Sequence, residues 1–178
     1  MRDRFDKICL LAIVVTLIAI VAFASGFVRS DKNRVGDERG PAVERAIQEQ
    51  VRANFLLETF EPVEQLKEKR EYAAALLKVQ ELEKSYPGEP HLQILRGSIL
   101  VEQGALTEGI ARYAAAVRVN GDYVDANSRL NRRTEITRLV EDSLPGIKSS
   151  LEADPNPTYK KALKTLYYLQ SRLAGGCE

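Results

Sequence analysis

The rhythm of apolar positions along this chain changes twice. Residues 8–28 read ICLLAIVVTLIAIVAFASGFV, 21 residues without a charge. A helix of about 20 such residues matches a hydrocarbon core roughly 30 Å thick. In lipid, a lone segment satisfies its own backbone only as a helix. Residues 30–41, SDKNRVGDERGP, have no apolar period and read as a tether. From residue 42 onward apolar side chains recur every three or four positions. Val43, Ile47, Val51, Phe55 and Leu56 predict a helix over 42–60, opened by Pro41 and interrupted by Pro62. Tyr159, Ala162, Leu163, Leu166 and Leu169 predict another over 158–173. Leu, Ala, Glu, Lys and Gln dominate this region, and Val, Ile and Thr never alternate in strand fashion. The reading is an all-α chain: a short tail (1–7), a transmembrane helix (8–28), a linker (29–41), a helical domain (42–174) and a tail (175–178).

The apolar segment has a rival reading as a cleaved signal peptide. Its n-region, MRDRFDK, is basic, and Ala22-Phe23-Ala24 resembles a small-x-small cleavage site that would leave Ser25 as the mature terminus. The uncharged run is longer than an ordinary h-region of about 7–15 residues, which favours a retained anchor. Positive charges are nearly balanced across it: Arg2, Arg4 and Lys7 on one side, Arg29, Lys32, Arg34 and Arg39 on the other. The short tail resembles an export signal. The expectation is therefore a single-pass membrane protein whose helical domain is extracytoplasmic, in the periplasm if the source is bacterial.

The helical domain repeats itself. Pro87, Gly121 and Pro155 are spaced 34 residues apart. In the same register Ala75, Gly109 and Ser143 are all small, and Val79, Tyr113 and Ile147 are all large. Tyr72, Leu106 and Val140 form another column, as do Leu76, Ile110 and Leu144. A helical hairpin buries one face on its partner helix and another on the next hairpin. A small residue fits where two helices cross closely, and a large one fills the space a turn later.

A 34-residue period of this kind resembles the tetratricopeptide repeat (TPR) family. The central unit, 90–121, carries the resemblance best: Gly97 in its first helix, Gly104 at the turn of QGALTEGIARYAAAV, and Gly109, Tyr113 and Ala116 in its second. REYAAALLKVQELEKSYP, with Tyr72, Ala75 and Pro87, looks like another second helix. The resemblance implies a helical-hairpin solenoid with a capping helix near its C-terminal end. Two prolines depart from the pattern. Pro62 falls in the first helix of the first unit. Pro145-Gly146 falls in the second helix of the third, which predicts a long helix over about 122–142 and a short one over 145–152. In this register Gly109→Leu should overpack the helix crossing and Gly109→Ala should be harmless.

Candidate chemistry is sparse. The formal net charge is +1 and no aromatic residues interleave with basic ones in a patch, so nucleic acid is not an expected partner. Cys9 and Cys177 form neither a disulfide framework nor a zinc-ligand spacing. The single histidine, His91, follows Pro90 at a helix start and reads as a surface or capping residue. No phosphate-cradling glycine loop or nucleophile motif is present. The expectation is no enzyme, no cofactor and no metal. Arg129, Arg132, Arg133 and Arg138 are either a solvated face offset by Glu135, Glu141 and Asp142, or a docking patch for an acidic partner.

The TPR resemblance implies a groove that binds a partner segment and is lined from the first helix of each hairpin. Here that suggests His91, Ile94, Ser98, Val101 and Glu102, continued by Asp125, Ser128 and Arg132. The expected function is a membrane-anchored scaffold for protein or peptide partners, in assembly or quality control of envelope complexes. The alternatives are a structural subunit of a larger membrane complex and a secreted or periplasmic TPR protein released by signal cleavage.

Overall fold

A computed structural model describes residues 40–175. The predicted transmembrane segment and most of the predicted linker lie outside the described residues. Among the described residues no helix is long and apolar enough to cross a membrane. The chain divides into two units, Met1–Ala46 and Ile47–Glu178.

The described residues are all-α. Six helices follow one another: α1 (Gly40–Glu68), α2 (Tyr72–Ser85), α3 (Pro90–Glu102), α4 (Leu106–Val119), α5 (Arg133–Ala153) and α6 (Pro157–Leu173). A 3-10 turn, Gly121–Tyr123, follows α4. Helix α3 packs along α4, α5 along α6, and α6 also lies against α4. The core is one cluster running from Leu56 and Phe60 on α1 through Ile99 and Tyr113 to Leu166 and Leu169 on α6.

The turns follow from backbone chemistry. Gly104 takes φ +82° after α3. Its N–H reaches the carbonyl of Val101 at 2.9 Å, and the N–H of Ala105 reaches that of Leu100 at 2.8 Å. This pair of bonds closes a helix around a left-handed residue, where glycine is favoured. The same pair of bonds closes α1, with Arg70 at φ 61° in the glycine's place. Helix α6 starts at Pro157, and the Asn156 side chain accepts the N–H of Thr158 at 2.8 Å.

The 34-residue columns are visible in the packing. Ala75, Gly109 and Ser143 are all buried, and so are Val79, Tyr113 and Ile147. Gly97 and Gly109 meet where α3 crosses α4. A Cβ on Gly109 would lie 2.6 Å from Val101 Cγ2 and 3.0 Å from the carbonyl oxygen of Gly97. These distances point to strain from alanine at 109, against the expectation that it is harmless.

Three predicted elements differ. Pro62 does not interrupt its helix, and Pro145 lies inside α5. Each proline leaves only the carbonyl four residues back, of Glu58 or Glu141, without its helical donor. Both prolines and both glutamates are on the exposed side, where solvent can supply the missing bond. Burial of Leu56, Phe60 and Val63 around Pro62, and of Val140, Ser143 and Ile147 around Pro145, holds each helix together. The buried face of α1 is Ala53, Leu56, Phe60 and Val63, while Val43, Ile47, Val51 and Phe55 are exposed.

The predicted helix over 122–142 is replaced by irregular chain up to Arg132 and a helix from Arg133. Short polar side chains capture the backbone there. Asp125 accepts the N–H of Asn127 at 2.9 Å, Ser128 that of Leu130 at 3.1 Å, and Asn131 that of Arg133 at 2.7 Å. Such local bonds compete with helix formation. The segment ends on two arginines that reach opposite ways. Arg132 pairs with Glu64 of α1 at 2.6 Å, while Arg133 donates to the carbonyls of Val124 and of Leu173 at the end of α6.

Candidate functional site

A cleft of about 550 Å³ opens where the C-terminal ends of α1 and α3 meet the start of α5. Its apolar lining includes Val101 and Leu106, half-buried, and Leu139, almost fully buried. Tyr113 reaches it from α4, and Glu102, Arg138 and Asp142 stand exposed around it.

Behind the cleft runs a continuous polar chain across four helices, of which Lys67, Ser98, Tyr113 and Glu135 line the cleft itself. Lys67 of α1 donates to Ser98 Oγ of α3 at 3.4 Å and pairs with Glu64 at 2.6 Å. Glu64 pairs with Arg132 at 2.6 Å, and Arg132 lies 3.8 Å from Glu135. Glu135 in turn accepts the hydroxyl proton of Tyr113. The charges alternate in sign, so each is neutralised by its neighbour. Burial alone would raise the Glu64 carboxyl, but the Lys67 hydrogen bond and the Arg132 charge outweigh it and hold its pKa below the usual value. Burial, with the Glu135 charge and hydrogen bond beside it, raises the Tyr113 hydroxyl well above its ordinary range, so it stays protonated as a donor.

The predicted groove residues divide sharply. Ser98, Val101 and Glu102 line this cleft. Arg132 forms part of its charged frame. Asp125 and Ser128 sit on the irregular segment, not on a helix, and their side chains serve its turns. His91 and Ile94 are corrections: each is 1% exposed. The His91 ring stacks on Phe60 of α1, with centroids 5.5 Å apart and planes 18° off parallel, and meets Tyr123 at 5.8 Å. Helix α1 lies over this part of α3, so His91 is a core residue and not a surface one.

Burial, and then the nearby positive charge of Arg132, press the His91 pKa down to about 4. Its Nδ1 and the Tyr123 hydroxyl are buried without a hydrogen-bond partner. Among the described residues no group of three or more His, Cys, Asp and Glu gathers as metal ligands. The basic cluster is dispersed: Arg138 lines the cleft, Arg132 and Arg133 are structural ties, and Arg129 is exposed.

Tyr113, Glu135, Arg138 and Leu139 were absent from the predicted groove. The 34-residue columns place Tyr113 among the large buried positions, but nothing in the sequence brings the start of α5 opposite α3. A second recess, of about 750 Å³, opens among Arg52, Tyr86, Glu89 and Asp122. Its walls are largely inter-helix chain, and its Arg52 is already paired with Glu89 at 3.7 Å. Comparison with protein-family models, with curated proteins and with solved structures finds no match for this chain.

Proposed function

We propose that this chain is a TPR-type scaffold whose cleft between α3 and α5 holds a segment of a protein partner. The observation that carries this reading is the composition of the cleft. It has an apolar lining, a neutralised polar wall and exposed charges of both signs around it. Such a surface gives an extended or helical peptide both burial and orientation. No reaction is proposed. The N-terminal apolar segment, read as an anchor, would hold the cleft beside a membrane and raise the local concentration of a membrane-bound partner. Assembly or quality control of envelope complexes is the setting that this arrangement suits, by analogy of architecture.

The test is affinity purification of the full chain through a tag on Glu178, with partners identified by mass spectrometry. Reversing the two exposed charges, Glu102→Arg with Arg138→Glu, leaves the core intact and should abolish recovery of the specific partner. Unchanged recovery by this variant would overturn the cleft assignment.

A second reading, a fixed subunit of a larger membrane complex, is favoured by one observation. Ile47, Val51 and Phe55 leave an apolar stripe exposed on α1. A partner recovered in constant ratio, and lost on Val51→Lys but not on the charge reversal, would select it.

A further inference from the structure

Away from the cleft, α4 and α6 enclose a recess of about 700 Å³. Arg118, Lys161 and Lys164 line it with Tyr167 and Tyr168, and no carboxylate does. Helix α6 has Lys160, Lys161, Lys164 and Arg172 and no acidic residue from Pro157 to Leu173. Some cations elsewhere are paired, Arg96 with Glu83 at 2.9 Å, Arg112 with Glu108 at 3.2 Å and Lys78 with Glu81 at 2.9 Å, while others, Lys69, Lys84, Arg129 and Arg138 among them, stand exposed and scattered. Among the described residues, Arg118, Lys148, Lys161 and Lys164 have no carboxylate within ion-pair distance. Like charges three apart on one helix face repel weakly, so this concentration is not explained by helix stability.

An aromatic ring backs one of the lining cations, Arg118, and a second ring backs Lys148 of α5, which does not line the recess. The Arg118 guanidinium lies 4.7 Å from the centre of the Tyr168 ring, and the Lys148 ammonium 5.7 Å from that of Tyr167. Stacking on a ring fixes a guanidinium by its face and leaves its N–H edge open to a carboxylate. Tyr167 is itself 45% exposed and offers apolar area at the same place.

We propose that this α4–α6 recess is a second docking site, and that its occupant is an acidic, extended segment of a protein partner. The charge complementarity selects carboxylates. The cations stand exposed around a concavity whose deeper lining is Thr165 and Tyr168, and a concave site suits an inserted chain better than a flat anionic bilayer. The proposal does not depend on the reading of the α3–α5 cleft, because the two sites share no lining residue.

The experiment uses the full chain in neutral detergent and a fluorescein-labelled peptide of alternating Glu and Gly, followed by anisotropy. A Gln–Gly peptide is the uncharged control. The paired substitution Lys161→Gln and Lys164→Gln should weaken binding about tenfold, the scale of two lost charge contacts. Lys69→Gln with Lys84→Gln makes the same charge change at exposed sites elsewhere and should leave affinity within about twofold. The charge reversal at Glu102 and Arg138 should also leave it unchanged, which separates failure of one site from failure of the other. Equal weakening by both lysine pairs would reduce the effect to net charge and overturn the proposal. So would binding through Lys161 and Lys164 to nanodiscs containing phosphatidylserine without binding to the acidic peptide.

Discussion

Gly97 and Gly109 face each other across the α3–α4 crossing, with so little room that a Cβ on Gly109 would come within 3.0 Å of the Gly97 carbonyl oxygen. A Cβ on Gly97 would meet Tyr113 Cδ2 at 3.0 Å and the Gly109 carbonyl oxygen at 3.2 Å. Replacing a helical glycine by alanine gains about 1 kcal/mol in propensity, while overpacking costs about 1–3 kcal/mol. The two carbonyl oxygens are backbone and cannot move aside as a side chain does, and the Val101 methyl belongs to a stiff β-branched side chain. Gly109→Ala should therefore lower the melting temperature, and Gly109→Leu should lower it further. Adding Val101→Ala to Gly109→Ala removes the 2.6 Å clash and should recover part of the loss. Thermal melts of the single and double variants check this; a more stable Gly109→Ala variant would reject the crossing.

The Tyr113 hydroxyl is held by Glu135, which joins α4 to the start of α5. Tyr113→Phe keeps the ring and loses a hydrogen bond to a charged acceptor, which contributes about 1.5–3 kcal/mol. Urea denaturation should show a loss of about that size with an unchanged slope. Glu135→Gln should lose less, because an amide oxygen still accepts the bond.

His91 gives the domain an acid-sensitive step. Its folded pKa of about 4 lies below its ordinary 6.5. Below pH 6.5 the unfolded chain takes up the proton first. Stability is therefore full above pH 6.5 and falls as pH drops toward about 4. The whole step amounts to about 3 kcal/mol. Glu64, whose folded pKa is also lowered, contributes in the same direction at lower pH, below its ordinary 4.5. Denaturant midpoints measured between pH 7 and 4 should show the decline. His91→Phe, which keeps a ring against Phe60, should remove the part between pH 6.5 and 4.

Pro145 occupies the interior of α5 with its side chain exposed. Pro145→Ala restores the N–H that the Glu141 carbonyl lacks. A proline within a helix costs about 3 kcal/mol, offset in part by the stiffer unfolded chain. The variant should gain about 1–2 kcal/mol in a urea titration. A loss would show that the proline shapes a bend on which packing depends.

How far the sequence reaches is clearest at particular residues. The columns Ala75/Gly109/Ser143 and Val79/Tyr113/Ile147 could be read because burial at a fixed period leaves a periodic composition. The extent of α6 was nearly legible, since apolar residues line a single face. The break at 124–132 was legible only in hindsight of its chemistry: Asp125, Asn127, Ser128 and Asn131 favour local turns, yet each is tolerated in a helix. Ser98, Val101 and Glu102 fell in the cleft because helical spacing puts them together near the end of α3. His91 and Ile94 share that helix, but a pattern does not say which neighbour covers which stretch. The partner is α1, which continues past a proline that should have stopped it.

The two arginines at the start of α5 have a consequence for how the domain comes apart. In an open stack of hairpins each unit touches only its neighbours, and melting starts at an end. Here residues of the first and last described helices are bound to consecutive positions: Glu64 to Arg132, and the Leu173 carbonyl to Arg133. The contacts close into a circuit that spans most of the chain. Peeling either end strains the tie that secures the other. Force applied across the domain should meet a single rupture in place of a staircase, and chemical unfolding should follow one sharp transition with every helix reporting the same midpoint.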